Sequence, residues 1–109
     1  MTIQVHHRLP VTVEINEVTL PYYWTSGTYV KSYCCLTEDL VFIDMHMNGT
    51  YSTIDTTKLD DKEHAAERLE KEFCNKNFAP IDEAVFMHKF SELQREVFYM
   101  VNSKLKPHA

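Results

Sequence analysis

The apolar residues of this chain change their spacing once, near its middle, and that change is the strongest constraint on its fold. In the first half they alternate with polar residues, as Val11, Val13 and Ile15 do around Thr12 and Glu14, which is the period of a half-buried strand. In the second half they recur every three or four residues, which is the helical period. Strands followed by helices predict an α+β domain, with an antiparallel sheet covered on one face by two C-terminal helices.

Turn residues divide the first half into short strands. Asn48-Gly49 is a strong hairpin signal, because a type I′ turn needs positive φ at both of its central positions. Ser26-Gly27 marks a second turn. We therefore expect an antiparallel meander of about five strands, with an additional edge strand over residues 3–7. The five segments are residues 11–15, 21–24, 28–36, 40–47 and 50–54.

The first helix is predicted over residues 60–74. Asp60 and Glu63 have the spacing of an N-cap and capping-box pair. The apolar residues that follow fall on one stripe, and the charged residues occupy the rest of the surface. That stripe consists of Ala66, Leu69 and Phe73.

The second helix is predicted from Pro80 or Ile81 to Lys104. Its apolar residues are spaced 4-3-4-3 and predict a seam that faces an apolar surface: Phe86, Phe90, Leu93, Val97 and Met100. A second stripe contains Phe98, Val101 and Leu105. Two alternatives follow from it: a helix buried on two sides within one chain, or a homodimer through helix 81–104.

Size and composition indicate one ordinary globular domain over residues 1–109. The N-terminus has no apolar signal segment, and the longest apolar run is Val97 to Val101, which is far too short to cross a bilayer. We therefore expect a cytoplasmic protein without membrane contact. Three cysteines, Cys34, Cys35 and Cys74, are an odd number and are expected to be free thiols.

Negative charge is concentrated in one third of the chain. Residues 38–72 hold ten acidic and four basic residues, a net −6, whereas the whole chain carries −5. Such a field repels the phosphates of double-stranded nucleic acid and attracts a basic surface. The expected partner is therefore a basic-surfaced protein. The candidate binding residues are the acids Asp60, Asp61, Glu63, Glu67 and Glu70 and the aromatic anchors Tyr22, Tyr23, Trp24 and Tyr51.

Three polar residues form a candidate catalytic constellation. Asp44 and His46 are two apart in one predicted strand, so they share a face. Opposed registers would bring Ser32 close to them. Ser, His and Asp together suit proton transfer and nucleophilic attack. The competing interpretation is a half-solvated sheet face, because Ser32 falls in mid-strand with no oxyanion donors in view.

Metal and cofactor sites are not indicated. The six histidines and three cysteines lack the spacing of metal ligands. The only glycines, Gly27 and Gly49, are both assigned to turns, so no phosphate-binding glycine loop can form.

The preferred function is that of a small, acidic, non-enzymatic interaction module. It resembles, in charge and size alone, a stoichiometric inhibitor such as an immunity protein, an antitoxin or a phage inhibitor of a nucleic-acid-processing enzyme. The alternatives are a small enzyme that uses the Asp44/His46 face and a homodimeric ligand-binding module with a pocket between helix and sheet.

Overall fold

A computed structural model describes residues 1–8, 12–28, 30–47, 52–75 and 77–105. Side chains are described up to residue 95, except that of residue 8. Within these ranges the elements follow one another as β1 (Thr2–Arg8), β2 (Val13–Thr19), β3 (Tyr22–Ser26), β4 (Lys31–Leu36), β5 (Val41–Met47), β6 (Ser52–Lys58), α1 (Lys62–Phe73), β7 (Ala79–Pro80) and α2 (Glu83–Leu105).

The main sheet has five strands in the order β6-β5-β4-β3-β7, and all neighbours are antiparallel. Strands β3 to β6 form a meander, and β7 adds a short edge beside Trp24 and Thr25. The structure thus confirms the α+β class and the antiparallel sheet of about five strands with two helices. The predicted Asn48-Gly49 turn lies outside the described residues.

The N-terminal strands form a separate hairpin rather than part of the main sheet. We expected residues 11–15 in the meander and residues 3–7 at its edge, but β1 and β2 pair only with each other among the described residues. The hairpin has one strongly apolar face, which it buries against α1 and the sheet instead of extending the sheet sideways. The buried residues of that face and the adjoining turn are Ile3, Val5, Val18 and Leu20.

Both faces of the main sheet are buried at its centre. Trp24 and Cys34 are cross-strand partners on one face, and Tyr23 and Cys35 are partners on the other. The first face joins the larger core cluster, together with Phe42. The second face joins a smaller cluster, which includes Met45 and the first half of α2.

The two helices cover different parts of this sheet. Helix α2 packs on the predicted core face, where Phe86 and Leu93 are buried with Cys35 and Met45. Helix α1 packs with the hairpin near Trp24 and Phe42, and Ala65 and Leu69 are its buried apolar residues. The face that we expected to be outer is therefore covered at its apolar end, because the hairpin and α1 together shield it.

The N-cap of helix α1 lies one residue later than predicted. Asp61, not Asp60, is the N-cap, and its Oδ1 accepts from the His64 backbone N–H at 2.9 Å. Both positions hold aspartate, so composition does not distinguish them. The buried positions are Ala65, Leu69 and Glu72, so the inward face is rotated from the predicted stripe and Ala66 lies at its border.

Helix α2 begins at Glu83 rather than at residue 80 or 81, because Pro80 belongs to β7. The predicted seam is confirmed for Phe86 and Leu93, which are buried, and for Phe90, which packs against the same cluster. The side chains of the remaining predicted seam and second-stripe residues, from Val97 to Leu105, lie outside the description. Neither described helix combines the length and the apolar character that a membrane-crossing helix requires.

A buried carboxylate joins α1 to the sheet. Trp24 is fully buried, and its indole Nε1–H donates to Glu72 Oε2 at 3.2 Å. Arg68 Nε lies 3.6 Å from Glu72 Oε1, and its guanidinium stacks 4.5 Å from the centre of the Phe42 ring. The carboxylate thus satisfies a buried donor and offsets its own burial by pairing with arginine.

We predict that Glu72→Ala lowers the free energy of unfolding by about 1–3 kcal/mol, because the buried Trp24 N–H loses its acceptor. The matched control is Glu67→Ala, an exposed position on the same helix, which should change stability by no more than about 0.5 kcal/mol. Urea unfolding followed by circular dichroism measures both. Equal midpoints for the two variants would contradict this role of Glu72.

Candidate functional site

The β4–β5 register assembles the three predicted polar residues. Ser32 lies directly across from His46, and its Oγ is 3.0 Å from His46 Nδ1. His46 Nε2 lies 3.1 Å from Asp44 Oδ2. An ionised carboxylate only accepts, so Nε2–H donates to Asp44, and in the neutral tautomer with its proton on Nε2 the ring accepts from the Ser32 hydroxyl through Nδ1. The three side chains form one hydrogen-bonded chain, which we call the sheet-face array.

The sheet-face array lies beside the core, at the polar end of the face that α1 covers. Ser32 is only 8% exposed, whereas the side chains of Asp44 and His46 are 19% and 36% exposed. Solvent therefore reaches the histidine more readily than the hydroxyl. The arrangement can move a proton between Ser32 and His46, with Asp44 orienting the ring.

The three cysteines lie in different environments. Cys34 is buried, and its thiol donates to Asp44 Oδ1 at 3.6 Å. Burial, reinforced by the negative charges of Asp44 and Glu72, raises its pKa well above the ordinary range for a thiol. Burial also raises the pKa of Cys35, to about 11. Cys34 is therefore a poor nucleophile, and Cys74 is the exposed thiol at the end of α1.

The predicted acidic residues of α1 lie along a groove. Glu63, Glu67 and Glu70 are spaced i, i+4 and i+7, so they share one side of the helix. They line a cavity of about 260 Å³ with Gln4 and His6 of β1. Glu63 and Glu67 are exposed and Glu70 is half-buried. We call these three glutamates the acidic stripe.

The other predicted acids gather at the start of α1. Asp60 and Asp61 precede the helix, and both are exposed. The loop that holds Glu38 and Asp39 meets this region, since the Leu59 N–H donates to Leu40 O at 2.9 Å and Lys58 Nζ donates to Asp39 O. The two acidic loops of the sequence are therefore neighbours at one end of the molecule.

The predicted aromatic anchors separate into different roles. Trp24 is fully buried, so its assignment as a partner contact is wrong: its ring fills the core. Tyr23 packs on α2, with its ring centre 5.2 Å from that of Phe86. Tyr22 is half-buried and lines a cavity. Tyr51 lies outside the described residues.

That cavity, which we call the ring pocket, was not predicted. It measures about 470 Å³ and lies between the hairpin, β3 and the end of α1. Its aromatic walls come from four separate parts of the chain: His7, Tyr22, Phe73 and Phe78. Only Tyr22 was a candidate, because sequence alone does not show that these distant elements meet.

No group of three or more histidine, cysteine, aspartate or glutamate side chains in the described part of the chain is arranged to hold a metal ion. Comparisons with protein-family models, curated proteins and solved structures found no match to this chain.

The N-cap of α1 gives a pH-dependent prediction. Hydrogen bonding to Asp61 raises the pKa of His64, and hydrogen bonds from His64 lower the pKa of Asp61. The histidine's contribution to stability is present below its unfolded-state pKa and is lost as pH rises through the folded value. The aspartate's contribution is present above its unfolded-state pKa and is lost as pH falls through the folded value. The pair therefore supports the helix start in mildly acidic solution.

We predict that Asp61→Asn, which keeps a capping side chain, lowers the pKa of His64. An NMR titration of the ring protons measures it. Asp60→Asn is the matched control and should have a smaller effect, because Asp60 acts on His64 only through its charge. Equal shifts in the two variants would contradict the Asp61–His64 hydrogen bond.

Proposed function

We propose that this chain is an acidic, non-enzymatic interaction module that docks a basic-surfaced partner protein through α1 and the adjoining loops. The observation that supports it most is the acidic stripe, whose glutamates lie along a groove rather than being dispersed over the helix. Concentrated charge speeds the capture of an oppositely charged partner and sets specificity. In the cytoplasm, such a module would act as a stoichiometric inhibitor of the partner, for instance of a nucleic-acid-processing enzyme.

The acidic loops extend the same surface. The exposed acids at residues 38, 39, 60 and 61 lie near the start of α1, so a partner laid along the acidic stripe would meet further negative charge there. The positive charges of Lys58 and Lys62 lie among these acids. This arrangement favours a partner whose basic residues occupy fixed positions over a uniformly cationic polymer.

Variants that replace glutamate with the uncharged glutamine test the proposal. Glu63→Gln/Glu67→Gln removes two stripe charges, and Glu14→Gln/Glu83→Gln removes two exposed charges elsewhere. We expect wild type and the second variant to capture the same basic protein from host lysate at low salt. We expect the stripe variant to lose it, and about 1 M salt to release it, because the Debye length is then about 3 Å. Capture that is identical for all three proteins, or that is absent, contradicts docking through the stripe.

A second candidate function, a small enzyme, rests on the sheet-face array. Its three hydrogen-bonded side chains would let His46 accept the Ser32 hydroxyl proton while the oxygen attacks an acyl or phosphoryl centre. The bond to the leaving group would then break, and His46 would pass the proton to that group. Ser32 is buried and lies within β4 rather than at an open loop, and both features weigh against access by a substrate.

If the sheet-face array is an enzyme site, a fluorophosphonate probe should label wild type at Ser32, and labelling should be lost in both Ser32→Ala and His46→Gln. Ser26→Ala, which changes the buried serine opposite Ser32 on β3, should keep the label. Mass spectrometry of the labelled peptide identifies the position. Absence of label on Ser32 excludes this function for the array.

A further inference from the structure

The ring pocket is a cavity of about 470 Å³ beside the acidic surface, and the functions considered so far do not use it. His6 lines the groove of the acidic stripe and His7 lines the ring pocket, so the two concavities lie on either side of β1. Phe73, the last residue of α1, lines the pocket. A partner that follows the stripe toward the end of α1 therefore arrives beside this pocket.

The Phe73 ring lies close to each of the other three aromatic rings of the pocket. Its ring centre lies 5.6 Å from that of His7, 6.4 Å from that of Tyr22 and 5.0 Å from that of Phe78. The interplanar angles are 63°, 73° and 63°, so none of the three stacks flat against Phe73. All four side chains are half-buried. Steeply angled rings leave parts of their faces available, and a ring face carries the negative end of the aromatic quadrupole.

The electrostatic surroundings of the pocket also favour a cation. Glu17 and the polar Asn16 are among its lining residues, and none of the described lining residues is lysine or arginine. The C-terminal end of α1 is at Phe73, and the helix dipole is negative there. Burial raises the pKa of Tyr22, so its hydroxyl stays protonated. Lys71 lies near a neighbouring cavity rather than in this one.

We propose that the ring pocket binds an arginine side chain of the basic partner. The planar guanidinium stacks on aromatic faces and donates hydrogen bonds to amide oxygens, which matches the rings and Asn16, and the negative charge of Glu17 beside the pocket favours a cation. This inference rests on the proposed function: the acidic stripe attracts the partner, and the ring pocket fixes its register by one buried side chain. In the same way, this fold already stacks its own Arg68 on Phe42.

Butylguanidinium and its neutral isostere butylurea test the chemistry of the pocket. Titrating each into the ¹⁵N- and ¹³C-labelled full chain, we expect butylguanidinium to shift resonances of Val18, Tyr22 and Phe78 in the millimolar range. We expect butylurea to bind at least about fivefold more weakly, because it fills the same space without the charge. Equal binding of the two compounds would mean that the pocket takes a neutral apolar group and would overturn the proposal. Absence of shifts at these residues would also overturn it.

Two variants separate the charge from the rings. Glu17→Gln should weaken butylguanidinium binding about two- to fivefold, whereas Glu83→Gln, at an exposed position on α2 that does not line the pocket, should not change it. Phe78→Leu keeps an apolar wall but removes one ring, and it should cause a loss of about two- to tenfold in a chain whose circular dichroism is unchanged. If Glu17→Gln and Glu83→Gln behave alike, the charge argument fails. If the partner is captured through the acidic stripe but butylguanidinium does not bind, the proposed interaction module is retained. Only the proposal that the ring pocket binds arginine is then refuted.

Discussion

Alternation of side chains along β3, β4 and β5 is the constraint on which this structure depends. Each strand sends one set of residues to the cluster around Trp24 and the other to the cluster around Met45, so the sheet needs a cover on both faces. The N-terminal hairpin meets that need by folding over one face together with α1. Helix α2 then serves the other face alone. The outer side of α1 remains exposed, and that side carries the acidic stripe.

The parts of the fold that sequence could predict are those set by local period. The Phe86–Phe90–Leu93 spacing indicated a buried seam, and the two-residue interval between Asp44 and His46 indicated a shared face. The antiparallel register brought Ser32 to the same place, as cross-strand pairing suggested. These features depend on neighbours in one helix or in adjacent strands, so the sequence carries the information directly.

The parts that sequence could not predict depend on contacts between distant elements. A tryptophan at position 24 suits either a partner contact or the core. Only the approach of Glu72 from α1, which contacts the buried ring, distinguishes the two roles. The ring pocket needs β1, β3, the end of α1 and the segment before β7 to converge. The hairpin could not be told from two strands of the main sheet, because its apolar alternation is the same in either place. The shift from Asp60 to Asp61 at the N-cap reflects two equally good capping residues in succession.

Surfaces that remain open to solvent after the core has formed determine which function the structure favours. The acidic stripe and the ring pocket lie on either side of β1, and the pocket is lined by rings at the border of the larger cluster, whereas the sheet-face array sits partly beneath the cover. Docking therefore needs no rearrangement of the described chain, while chemistry at Ser32 needs access to a residue that is only 8% exposed. That difference is why we favour binding over catalysis.

The central claim is that α1 and the hairpin cover one face of the sheet and that α2 covers the other. Nuclear Overhauser contacts from the protons of the buried aromatic rings test it most directly. The account predicts contacts between the Phe42 ring and the Arg68 side chain of α1 and between the rings of Tyr23 and Phe86 of α2, with no contact linking Phe42 or Trp24 to α2. Cross-peaks from Trp24 or Phe42 to Phe86 or Leu93 would put both helices on one face and contradict the account.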